Sequence, residues 1–128
     1  MCIGLLVADI LVKPVSRKIF EIDATQVDEI CIMPGGDALN ESIILSRLGL
    51  KSNLGGKVGK DAFGEMIIKE VEKNGVNVDN IKVDTNTVTA ASIVLIDKEG
   101  GRNFVYSKGN NDSLSIHDLN LEAVRKYY

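Results

Sequence analysis

Apolar and polar positions along the 128 residues change period several times, and each change marks an expected element boundary. Residues 2–8, Cys-Ile-Gly-Leu-Leu-Val-Ala, form a short apolar run without alternation that stops at Asp9. A run of that length reads as a strand buried on both faces. Residues 10–20 and 27–34 mix apolar and polar side chains on either side of a polar turn, Glu21 to Gln26, and read as two half-exposed strands. Pro34-Gly35-Gly36 then breaks the pattern. Leu39, Ile43, Ile44, Leu45 and Leu48 follow at helical spacing, with Gly49 just past the last of them, so a helix is expected over 37–48.

Residues 51–58 return to a short strand and a glycine-rich turn. Asp61 can cap a second helix that carries Phe63, Met66, Ile67 and Val71 on its inner face and ends at Asn74-Gly75. A short extended stretch covers 76–83. Residues 90–97 and 102–107 are strand-like and flank Lys98-Glu99-Gly100-Gly101, a good hairpin loop. From about Asp118 to Tyr128 the pattern is helical, with Glu122 and Lys126 at i,i+4 spacing. Strands alternate with helices, yet two strand pairs are local and antiparallel. The expected architecture is an α/β layer carrying a separate small β-sheet.

Composition narrows the function classes. The length suits one domain, and 45% hydrophobic residues are enough to bury a core. Fifteen basic and 18 acidic residues leave a net charge of −3, which gives no reason to expect nucleic acid or an anionic membrane as partner. Trp is absent and aromatics make up 5%, which speaks against base-stacking platforms. Cys2 and Cys31 form no CxxC pair, and with one His in the chain no Cys/His metal cluster is expected. Buried, reduced thiols in a cytoplasmic protein are the expected reading. The apolar N-terminus lacks a basic region and a long apolar stretch, so it does not read as a signal peptide. No apolar run approaches the roughly 20 residues of a membrane span.

Three glycine-bearing segments are candidates for chemistry. In the first, Met33-Pro34-Gly35-Gly36-Asp37-Ala38-Leu39-Asn40, a strand runs through two glycines straight into a helix. Glycines let a ligand or another backbone come close, the helix start offers N–H donors, and Asn40 adds an amide. A tight turn with a solvated Asn explains the same residues. The second, Gly55 to Gly64, superficially suggests a phosphate loop. It is neither a Walker A motif nor GxGxxG, and an Asp61 cap would compete with an anion for the helix N–H groups. The third, Gly109-Asn110-Asn111-Asp112, is turn chemistry that could also present amides to a polar ligand. A dinucleotide-binding domain would need GxGxxG directly after the first strand, where the chain has Gly4-Leu5-Leu6-Val7-Ala8-Asp9.

Order and spacing carry more than any one segment. Gly35-Gly36-x-x-x-Asn40, with Ile44 and Arg47-Leu48-Gly49, resembles the first signature of the ribokinase-like (PfkB) carbohydrate kinases. Gly56-x-x-Gly59-x-Asp61-x-Phe63-Gly64 is similar to the family's next landmark, and Gly75-Val76 to the one after. Thr89-Ala90, strand 91–97, Gly101-Arg102, Phe104-Val105-Tyr106 and Gly109-Asn110-Asn111 continue in register, and Gly4 and Asp9 fit the opening strand. The resemblance covers essentially the whole chain.

The resemblance implies a three-layer α/β/α fold with a small β-sheet lid, truncated at its C-terminal side. The core would comprise 1–9, 37–83 and 112–128, and the lid strands about 10–34 and 90–107. It implies a parent enzyme that phosphorylates a hydroxymethyl group of a sugar or nucleoside with ATP and Mg2+. By position, Asp9 would bind sugar hydroxyls, Gly35, Gly36 and Asn40 would line the same pocket, and Asn110 and Asn111 would approach it from the lid side. A carboxylate suits vicinal hydroxyls because it accepts at several sites. Two departures weigh against ribose itself: Val7 replaces a polar residue common two before the Asp, and Asp37 replaces a Lys found in some members. The catalytic Asp of a GAGD-type loop is expected downstream of Tyr128, so neither phosphoryl transfer nor a full ATP site is expected of these 128 residues. A homodimer through the lid strands is the expected assembly. A non-catalytic sugar-binding or dimerisation module is the alternative.

Overall fold

The computed structural model describes residues 1–125 and contains two sheets. A three-stranded parallel sheet has the order β1 (Cys2–Ile3), β4 (Asn53–Gly59), β5 (Asn77–Asp84). A four-stranded sheet has the order β3 (Glu29–Gly35), β2 (Val7–Lys13), β6 (Ala90–Ile96), β7 (Arg102–Ser107). Within it β2 runs parallel to β6, and the pairs β2–β3 and β6–β7 are antiparallel. The two local pairs read from the sequence are therefore both present, joined through the parallel β2–β6 contact.

Three boundaries differ from the reading of the sequence. The apolar run 2–8 is not one strand. It breaks after Ile3, and its remainder enters the other sheet at Val7, so Val7, Ala8 and Asp9 lie in the four-stranded sheet. The strand expected over 10–20 stops at Lys13, because Pro14 has no N–H to give the ladder, and a 3-10 turn occupies Arg17–Phe20. Pro34 sits inside β3, and the break falls at Gly36. At the C-terminal end a short helix, α3, covers Leu121–Arg125. Residues 126–128 lie outside the described residues, and with them the expected Glu122–Lys126 pair.

Helix α1 (Asp37–Arg47) starts at Gly36 without a side-chain cap and turns Ala38, Leu39 and Ser42 inward. Helix α2 (Ala62–Lys73) is capped by Asp61, whose carboxylate accepts the Gly64 N–H at 2.9 Å. It buries Gly64, Ile67 and Val71, while Phe63 and Met66 are partly covered. Strand β4 lies between these helices and the 109–119 segment. Its even positions, Leu54 and Val58, join Cys2, Leu6, Leu39, Ile67, Val71 and Val76 in one core cluster. Each fully buried aliphatic there contributes roughly 1.5–3 kcal/mol relative to exposure. Its odd positions face the other way. A Cβ on Gly55 would touch Leu119, and Lys57 reaches Ser113 and Asp118. No helix among the described residues is long and apolar enough to cross a membrane.

Candidate functional site

Strand register decides which side chains meet. Asp9 stands directly beside Met33 on β3 and Ser92 on β6, and Ser92 stands beside Tyr106 on β7. One row on one face of the four-stranded sheet is therefore Met33, Asp9, Ser92, Tyr106. The next row on that face is Cys31, Leu11, Val94, Phe104. A cleft of about 660 Å³ opens against this face, lined among others by Val7, Asp9, Gly36, Ser92, Phe104, Tyr106 and Asn111. A depression of similar size, about 670 Å³, lies at the far end of the same sheet between Pro14, Thr25 and Asp97. It gathers none of the residues singled out from the sequence, so the Asp9 cleft is the candidate site.

Asp9 is half-buried. Burial lifts its carboxyl above the ordinary Asp range, and a hydrogen bond with Ser92 offsets part of the rise. Two glycines shape its surroundings. A Cβ on Gly35 would collide with the Asp9 carboxylate, so the glycine leaves that oxygen its place. Gly36 has φ +106°, which side chains rarely tolerate, and a Cβ there would strike the Leu5 carbonyl. Both glycines are thus required by close approach at the entry to α1. Phe104, Tyr106, Ala90 and Ala91 contribute to its mostly apolar lining, with Asp9, Ser92 and Asn111 among its polar groups. Lys108, also on the wall, is paired with Asp112 at 2.9 Å.

The structure brings Asp9, Gly36 and Asn111 into the cleft lining, with Gly35 against Asp9. Asn111 arrives with its amide engaged: its Nδ2 donates to the Leu6 carbonyl at 3.0 Å, and its Oδ1 accepts the Leu6 N–H at 3.4 Å. Asn40 is exposed in the first turn of α1 and is not part of the lining. Asn110 is fully buried beneath the 109–113 turn, and neither end of its amide meets a partner among the described residues. Reading the sequence missed Ser92, Phe104, Tyr106 and Lys108. The signal was there in the period of two along β6 and β7, but no spacing in the chain states which strands become neighbours.

The sequence profile described as pfkB family carbohydrate kinase matches residues 1–127. The chain belongs to this family. Similar curated proteins are the probable fructokinase-5 of Arabidopsis thaliana, 35% identical over 95 residues, and the fructokinase of Solanum tuberosum, 35% identical over 94 residues. These stretches cover 73% and 72% of this chain but 29% and 30% of those proteins, so the chain spans under a third of their length. An uncharacterized sugar kinase from Pyrococcus horikoshii matches with TM-score 0.77 and 30% identity, over 95% of this chain and 40% of that one. A Xylella fastidiosa fructokinase matches the fold with TM-score 0.76, at 21% identity, over 95% of this chain and 36% of that one. The ribokinase-like α/β fold expected from the sequence is thus present in this PfkB chain.

Proposed function

We propose that the chain is the sugar-binding part of a PfkB-type kinase, whose parent transfers a phosphoryl group from ATP to a substrate hydroxymethyl. The observation that carries this is Asp9. A carboxylate facing an apolar, aromatic-walled cleft, with Gly35 and Gly36 clearing space beside it, suits a ligand with ring faces and adjacent hydroxyls. Sugar hydroxyls would donate to Asp9, while Phe104 and Tyr106 would cover the ring. Fructose is the first ligand to test, since several similar proteins are named fructokinases. A nucleoside would use the same aromatic wall. Among the residues first singled out, we retain Asp9, Gly35 and Gly36 as the sugar contacts. Asn40, in the first turn of α1, and Asn110 and Asn111, in the turn after β7, are the remaining candidate contacts.

ATP use by the parent is supported by the Pyrococcus horikoshii sugar kinase, whose structure is also known in complex with ATP. The residues described here do not fit ATP and Mg2+. Among them no group of three or more His, Cys, Asp or Glu is placed to hold a metal ion, and Lys108 on the cleft wall is already paired. We propose that the 128 residues bind the sugar without phosphorylating it. Cytoplasmic location, where ATP is supplied, accords with two free thiols, Cys2 and Cys31.

The other face of the four-stranded sheet supports a homodimer. Ile32, Ile10, Ile93 and Val105 form one unbroken row across all four strands, and three of them are exposed: Ile32 (51%), Ile93 (39%) and Val105 (55%). An apolar row of that kind on a solvent face suits a second copy of the same sheet. The deciding experiment is calorimetric titration of the chain with fructose, ribose and adenosine, beside a coupled assay for ATP-dependent phosphorylation. Saturable binding that Asp9→Asn abolishes, without turnover, is expected. No binding of any of the three would overturn the sugar reading, and turnover by this chain would overturn the claim that it binds without acting.

A further inference from the structure

The segment Gly59-x-Asp61-x-x-Gly64 has no part in the cleft lining, and its geometry is that of a fastening. The three chain crossings between the two sheets, and the exit of the chain from β7, all lie at one end of the four-stranded sheet. Val7 is in register with Gly35 and Ala90, and Ala91 with Ser107. The three crossings are held by specific contacts. Asn111 clasps the Leu6 backbone. Gly36 packs on the Leu5 carbonyl. At the third, Thr89 stands immediately before β6 and is 3% exposed.

Thr89 is gripped from the core side. Asp61 Oδ2 accepts its backbone N–H at 2.7 Å, and Asp61 Oδ1 accepts its hydroxyl at 2.7 Å. The same hydroxyl oxygen accepts the Gly59 N–H at 2.9 Å. Asp61 Oδ1 also caps α2 through Gly64. The two glycines make this possible. A Cβ on Gly59 would lie 2.7 Å from Asp61 Oδ2 and 2.6 Å from the Thr89 nitrogen, and one on Gly64 would strike the Gly59 carbonyl. On its other side, the neighbouring Val88 carbonyl accepts the Asn110 N–H at 2.9 Å.

We propose that Asp61 is a positioning residue for the cleft: by locking Thr89 it fixes the root of β6, and through β6 the placement of Ser92 and the Phe104–Tyr106 wall against Asp9 and Gly36. The capping bond alone would account for Asp61 but not for a second carboxylate oxygen spent on Thr89, 28 residues away. Burial works to raise the Asp61 carboxyl. The N–H groups of Thr89, Gly64 and Phe63 and the Thr89 hydroxyl outweigh it and hold the group below the ordinary Asp range, so the fastening is ionic. The role of the cleft rests on the sugar reading, whereas the lock itself does not.

Thr89→Val separates the two functions of Asp61, because it removes the hydroxyl and leaves the α2 cap in place. Amide hydrogen exchange on the chain should show β6 amides exchanging about tenfold faster in T89V, with those of Ile67 to Val71 in α2 unchanged and Thr89→Ser restoring β6. Unchanged β6 exchange in T89V would overturn the hydroxyl's part in the lock, and unchanged β6 exchange in Asp61→Ser, which keeps a capping oxygen and loses the grip on Thr89, would overturn the lock itself. A parallel rise in β6 and α2 would overturn it too, since that marks general destabilisation. Fructose titration is the second arm. Affinity about fivefold weaker in T89V and restored in T89S supports the positioning role, and equal affinity overturns it. If the unaltered chain binds no sugar, the sugar reading fails, and the exchange arm still decides whether Asp61 locks β6.

Discussion

All seven residues of β4, Asn-Leu-Gly-Gly-Lys-Val-Gly, are buried, whereas all six of β7, Arg-Asn-Phe-Val-Tyr-Ser, are exposed. By side-chain type alone the order would be reversed, since β7 carries two aromatics and β4 carries a lysine and three glycines. The difference lies in what surrounds each strand. β4 has a strand on either side, helices over one face and the 109–119 segment over the other. It can hold Lys57 inside because three elements complete the charge. Its Nζ lies 3.3 Å from Asp84, 3.4 Å from Asp118 and 3.2 Å from the Ser113 hydroxyl. Burial opposes the Lys57 ammonium, but the two carboxylates outweigh it and raise its pKa above the ordinary value. β7 is an edge strand, and its Phe104 and Tyr106 side chains line the Asp9 cleft. The half around β4 is filled by neighbours on every side of that strand, and the half around β7 ends in an open edge.

Truncating one side chain in each strand tests that contrast most strongly. Leu54→Ala in β4 should cost about 2–5 kcal/mol, and Tyr106→Ala in β7, on the face away from Val105, should stay within about 0.5 kcal/mol, read from urea unfolding by far-ultraviolet circular dichroism. Equal losses would mean that β7 is packed in solution. Next in size is Asp9→Asn. It should weaken fructose binding about 10- to 100-fold, the worth of charge-assisted hydrogen bonds, and leave the unfolding midpoint in place. Gly36→Ala follows. With φ +106° and the Leu5 carbonyl in the way, it should cost about 1–3 kcal/mol and also loosen sugar binding, linking the two halves at their junction.

Acid should separate the halves without any mutation. Asp9 lies above the ordinary Asp value, so on acidification it takes up its proton early and its grip on hydroxyls goes first. Asp61, Asp84 and Asp118 lie below it: bonds from Thr89 and Gly64 outweigh burial at Asp61, the Asn86 N–H leads at Asp84, and the Ser115 N–H at Asp118. Their stabilisation is present above the unfolded carboxyl value and is lost only as pH falls through the lower folded values. Titrations of sugar affinity and of unfolding against pH should therefore show binding lost at a higher pH than folding. Coincident losses would put Asp9 outside the binding site. The smallest effect on stability is expected from Ile93→Lys, which should turn a dimer into a monomer by light scattering and lower the urea midpoint only by what dimerisation had added, an amount that falls on dilution.

Much of the fold is legible residue by residue. The 3.6-residue spacing of Leu39, Ile43 and Leu45 and the Asp61 cap mark α1 and α2 almost to their ends, because helical bonds close within a few residues. The Lys98–Gly101 loop marks the β6–β7 hairpin for the same reason. The opening strand was misjudged because an apolar run says nothing about which sheet receives each part of it. Asp9, Gly35 and Gly36 were picked out by motif spacing as candidate sugar contacts, and the structure sets them side by side at the cleft. Ser92 and Tyr106 were not, since their place beside Asp9 depends on the parallel pairing of β2 with β6 across some 80 residues of chain.

Family membership, the helices, the hairpin and the strand-to-helix glycines were settled by the sequence alone, as local patterns and ordered motifs. Tertiary structure decided burial and partnership. It put Lys57 inside and Phe104 outside, spent the Asn111 amide on Leu6, and added to the Asp61 helix cap a tie on Thr89. The physical reason is common to all four. A side chain's type sets what bonds it can make, and only the packing of distant segments sets which of them it has to make.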